Sequence, residues 1–88
     1  MDILQNTFYI NLEHRTDRLE HVKNELKKIG VEGERFNAIK TKSGAIGCTL
    51  SHIKCLEIAK ERKYEEVFIC EDDITFTNPT LFLENLKK

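Results

Sequence analysis

Strand-like and helix-like segments take turns along the chain, and this alternation limits its architecture more than any other feature. Thr7-Phe8-Tyr9-Ile10-Asn11-Leu12 gathers β-branched and aromatic residues into a short run, which predicts a buried strand. Leu19, Val22, Leu26 and Ile29 follow at helical spacing and predict a helix over about 17–29. Asp17 and Glu20 are spaced as a capping box, Lys27 and Lys28 suit the negative end, and Gly30 suits the stop. Arg35-Phe36-Asn37-Ala38-Ile39, entered through Gly33, is a second strand candidate. Ser43 or Thr49 then caps a second helix reaching about Arg62. Ile46, Leu50, Ile53 and Leu56 line one side of it, and Cys48, Cys55 and Ala59 widen the apolar arc. So broad a face predicts a helix packed into a core. Past the charged turn Glu61–Glu66, Val67-Phe68-Ile69-Cys70 is wholly apolar, as expected of a central strand covered on both sides. Asn78-Pro79 opens a last helix, with Asn as cap and Pro at its first position.

The order β-α-β-α-β-α implies an α/β domain: a parallel sheet with crossover helices. With 88 residues there is room for one small domain. Forty per cent apolar and 33% charged residues fit a globular chain and exclude a disordered one. A formal charge of −1 gives no broad electrostatic footprint for nucleic acid or an anionic membrane. No apolar run is long enough to span a bilayer. Three cysteines do not make a disulfide framework, so a reducing, cytoplasmic setting is the expectation.

Parallel α/β sheets collect ligands beyond the carboxyl ends of their strands. After the first strand come Asn11-Leu12-Glu13-His14-Arg15-Thr16-Asp17-Arg18, where two arginines meet a helix start. Guanidinium forks and exposed N–H groups both favour a phosphate; the alternative is solvated arginines paired with Glu13 or Asp17. After the last strand come Glu71-Asp72-Asp73. Adjacent carboxylates repel one another, and a hard divalent cation such as Mg²⁺ or Mn²⁺ relieves this while bridging to phosphate oxygens. The alternative is an acidic turn. His52 lies beside Cys48 and Cys55 and reads as a packing residue or a donor-site contact before it reads as a metal ligand. There is no Cys-x-x-Cys pair, so Cys48, Cys55 and Cys70 read as buried, unreactive thiols rather than zinc ligands. His14 and His21 read as exposed. No P-loop or dinucleotide glycine fingerprint occurs.

Three stretches in this order resemble glycosyltransferase family 25: Tyr9-Ile10-Asn11-Leu12-Glu13-His14-Arg15-Thr16-Asp17-Arg18, Gly44-Ala45-Ile46-Gly47-Cys48-Thr49-Leu50-Ser51-His52, and Phe68-Ile69-Cys70-Glu71-Asp72-Asp73-Ile74. That family includes lipopolysaccharide and collagen hydroxylysine galactosyltransferases. The resemblance implies a GT-A type nucleotide-sugar fold, a UDP-sugar donor and usually Mn²⁺. It places Asp73 as a direct metal ligand, Glu71 as a ligand directly or through water, and Asp72 at the donor. It sets Asn11, Arg15, Asp17 and Arg18 beside the nucleotide, and His52 with Gly47, Cys48 and Ser51 in a helix motif that partly binds and partly packs. Ala45 stands where the family usually has an acid, which removes a charged contact at that helix start. The resemblance also implies that 1–88 forms the donor-binding part only, as a truncated product, a fragment or a divergent minimal form, with a partner chain as one way to complete the acceptor site and the metal shell.

The leading expectation is therefore sugar transfer from a UDP donor to a hydroxyl acceptor, with no general base evident for an inverting route. A second is a non-catalytic module that grips a UDP-sugar or a partner chain. A third is a Mg²⁺-dependent phosphoryl-transfer or receiver-like domain, against which Asn11-Leu12 stands where an acidic nucleophile is needed.

Overall fold

The computed structural model describes residues 5–86. Strand β1 (Thr7–Asn11), helix α1 (Thr16–Lys28), strand β2 (Glu34–Asn37), helix α2 (Gly44–Glu61), strand β3 (Phe68–Glu71) and helix α3 (Pro79–Leu86) follow in the expected order. The three strands form one parallel sheet, ordered β2-β1-β3. Register sets Asn11 beside Asn37, and Ile10 beside Glu71.

The middle of the sheet belongs to β1, every residue of which is buried. The apolar run expected to be central is instead the outer strand β3, whose Phe68 and Ile69 are half-buried. An apolar run reports how much surface a strand covers, and helices can cover an outer strand as well as a middle one.

Alternation along β1 divides the core in two. Tyr9 joins Val22 and Leu26 of α1 and Ile29 at its C-cap, with Phe76 and with Phe82 of α3, on one face. Phe8 and Ile10 meet Cys55 and Ala59 of α2 on the other. Helices therefore cover both faces, and the chain changes faces between α1 and α2.

Helix α1 begins differently from the capping-box expectation. Arg15 is its cap residue and no side chain caps it; Asp17 instead accepts two hydrogen bonds from the Arg15 guanidinium, at 3.0 and 3.1 Å. Its end is a Schellman turn: Gly30 N–H donates to Lys27 and Val31 N–H to Leu26, with Gly30 at φ +73°. Ser43 caps α2 by accepting from Ile46 N–H, and Asn78 caps α3 by accepting from Leu81 N–H.

Helix α2 buries only one edge of the expected apolar arc, Cys55 and Ala59, and leaves the rest outside. Gly47, Ser51, Cys55 and Ala59 turn inward, whereas Ile46, Leu50, Ile53 and Leu56 are 39–57% exposed. Small residues win the inner face because the helix start runs against backbone. A Cβ on Gly47 would lie 2.5 Å from the Ile39 carbonyl oxygen. The Ser51 hydroxyl donates to the Gly47 carbonyl and accepts from Ile39 N–H, which ties α2 to the end of β2.

Candidate functional site

The change of faces leaves a crevice beyond the carboxyl ends of β1 and β3, the place where an open α/β sheet binds ligands. Asn11 closes β1 and is 1% exposed. Its amide donates to an Asp72 carboxylate oxygen at 2.9 Å and to the Arg15 carbonyl at 3.1 Å, while its oxygen accepts from Arg35 Nε at 3.0 Å. Expected beside the nucleotide, Asn11 lies beneath the crevice with its amide fully engaged. It orients Asp72 and the start of α1. Arg35 also donates to the Asn11 carbonyl and to Asn37. Arg35 falls outside the sequence expectation for the site: it pairs with Tyr9, two residues out of step with Asn11 and so on the same face, a register that only the sheet reveals.

The three acids do not act as a unit. Strand alternation sends Glu71 towards α2 and Asp72 towards α1. Asp72 is 7% exposed, accepts a hydrogen bond from Asn11 and is paired with Arg18 at 3.5 Å. Relief of repulsion by a cation is therefore not needed at Asp72. Glu71 and Asp73 stay exposed, and both line one pocket of about 280 Å³ with His52. Their hard oxygens fit the donor chemistry that Mn²⁺ or Mg²⁺ takes.

Arg15, Asp17, Arg18 and His21 line one cleft of about 350 Å³ together with Asp72, Asp73 and Thr75. A second, of about 200 Å³, runs from Arg15 and Arg18 past Lys40, Thr41 and Gly44 to Cys48, Glu71 and Asp72. The Arg15 guanidinium holds the Asp17 carboxyl down to about 2, so this pair stays ionised. Being exposed, it separates at little cost when another anion arrives. His21, expected to be exposed, is half-buried, with Nε2 2.8 Å from the Ile74 carbonyl oxygen.

The thiols divide in two. Burial pushes Cys70 up to about 12 and Cys55 up to about 11, in keeping with inert core thiols. Cys48 departs from that expectation: it is half-buried, and its Sγ donates to Glu71 Oε1 at 3.1 Å. The adjacent carboxylate raises its pKa.

Fold and crevice together define a small parallel α/β protein, with cations and carboxylates facing one another where two strands end. A profile of glycosyltransferase family 25 (LPS biosynthesis protein) matches residues 42–88, and the chain belongs to that family. Two glycosyltransferase 25 family members, from Drosophila melanogaster and Drosophila pseudoobscura pseudoobscura, are each similar to it at 30% identity over 101 residues. Those alignments take in 83% of this chain, which spans 16% of each relative's length. No solved structure matches the chain. Among the described residues, no helix is long and apolar enough to cross a membrane.

Proposed function

We propose that the chain is the donor-binding part of a glycosyltransferase that takes a UDP-sugar with Mn²⁺ or Mg²⁺ and passes the sugar to a hydroxyl on a glycan or protein. One observation carries the reading: Arg15 and Arg18 share a cleft with Asp72 and Asp73, across the ends of β1 and β3. Arg15 and Arg18 offer guanidinium donors to a diphosphate, Arg15 by exchanging Asp17 for phosphate. Asp72, fixed by Asn11, keeps Arg18 turned into the cleft. Asp73 would hold the metal, with Glu71 as a second ligand directly or through water. A divalent ion there supplies positive charge against the negative charge that gathers on a departing diphosphate. Family membership and the position of the crevice support the reading.

Calorimetric titration of UDP into the chain, with and without Mn²⁺, tests it. Wild type is expected to bind more tightly with the metal, and Asp73→Asn to lose at least about tenfold of that affinity. Equal affinity in the variant removes the metal from the reading, and no UDP binding removes the donor. Turnover of a UDP-sugar by the chain separates a transferase from a passive binder.

A further inference from the structure

Cys48, His52 and Glu71 each turn a ligand atom to one point, and these three atoms all lie within 4.8 Å of one another. The first two are four residues apart on α2 and so share a face; the third closes β3. Tetrahedral bonds of about 2.0–2.3 Å put neighbouring ligand atoms roughly 3.3–3.6 Å apart, so the three atoms have to close by little more than about 1 Å. Among the described residues the His52 ring makes no hydrogen bond, which leaves its nitrogens available. We propose that Cys48, His52 and Glu71 form a site for a borderline-soft divalent ion of the Zn²⁺ kind, which shares Glu71 with the hard-oxygen donor set at Asp73.

The donor set selects the ion. A thiolate and an imidazole favour Zn²⁺ or Co²⁺ over Mn²⁺ and Mg²⁺, which prefer oxygen alone. On binding, the thiol proton leaves to solvent, and thiolate and carboxylate together balance the two positive charges of the ion. Three protein ligands leave the fourth position to water, on the side of the pocket that His52 and Glu71 line with Asp73. Glu71 thus stands between two donor sets, and a soft ion draws it towards α2.

The test uses Co²⁺ alone as a spectroscopic probe, without nucleotide, on the full chain. Wild type is expected to show a thiolate-to-cobalt charge-transfer band with tetrahedral ligand-field absorption, both bleached by Zn²⁺. Cys48→Ser, checked for folding by far-ultraviolet circular dichroism, is expected to abolish the band. His52→Gln is expected to keep the band but weaken Co²⁺ binding more than about tenfold. No band in folded wild type, an unchanged band in Cys48→Ser, or unchanged affinity in His52→Gln each overturns the proposal. Because no UDP is present, failure here leaves the donor-site reading untouched.

Discussion

Asn11 shows how much one buried side chain decides. With its amide replaced by an apolar group, Asp72 loses a partner in a buried contact, and Arg35 and the Arg15 carbonyl each lose one in a part-buried contact. Asn11→Leu is expected to destabilise the chain by about 2–4 kcal/mol, read from urea unfolding. A value near zero means that Asn11 does not organise the crevice. The thiols allow a second test at this scale. Because burial pushes Cys70 up to about 12 and Cys55 up to about 11, few thiolates form at pH 8. Alkylation of these two in the folded chain is expected to run roughly a hundredfold or more slower than in urea, by mass mapping. The residue types of the site could be read from the sequence, because arginines and acids follow strands. What each touches could not: Asn11 and Asp72 lie 61 positions apart and meet only through sheet pairing.

Among the elements, α2 parts furthest from its sequence pattern. Its periodicity favours the side carrying Ile46, Leu50, Ile53 and Leu56, yet the side carrying Gly47, Ser51, Cys55 and Ala59 meets the sheet. Hydrophobicity ranks faces by transfer energy, whereas close approach to the Ile39 backbone ranks them by size. Gly47→Ala is expected to cost about 1–3 kcal/mol, because its Cβ would lie 2.5 Å from a backbone oxygen. Ile53→Ala, at a position 45% exposed, is expected to change stability by no more than about 0.5 kcal/mol. The reverse order in urea midpoints would restore the hydrophobic side as the packed one. Helix α1 is the opposite case. Leu19, Val22, Leu26 and Ile29 predict its inward side, and Val22 and Leu26 are fully buried there.

For the molecule as a whole, Glu25 joins α1 to the segment leading into α3. It is 6% exposed, accepts from Phe76 N–H at 2.8 Å and from Lys28 Nζ at 2.7 Å, and these bonds lower its pKa below the ordinary 4.5, Lys28 first. A lowered folded value means that the carboxylate stabilises the fold above the unfolded value. This contribution fades as pH falls below about 4.5 and through the folded value. Urea midpoints are expected to decline on acidification below that point, and more shallowly in Glu25→Gln. Parallel slopes in the two proteins would show that this link does not couple the elements. By itself, the sequence determined the element order, the parallel α/β class, the cap of α3, and the strand ends where polar residues gather, while it left α2's cap between Ser43 and Thr49. These are local properties, written in periodicity and in residue types a few positions apart. The tertiary structure decided which strand is central, which side of α2 is buried, which acid is held by Asn11 and Arg18, and that Cys48 and His52 meet Glu71. Each of these depends on which distant segment comes to lie alongside, and backbone pairing and steric fit settle that only when the chain closes on itself.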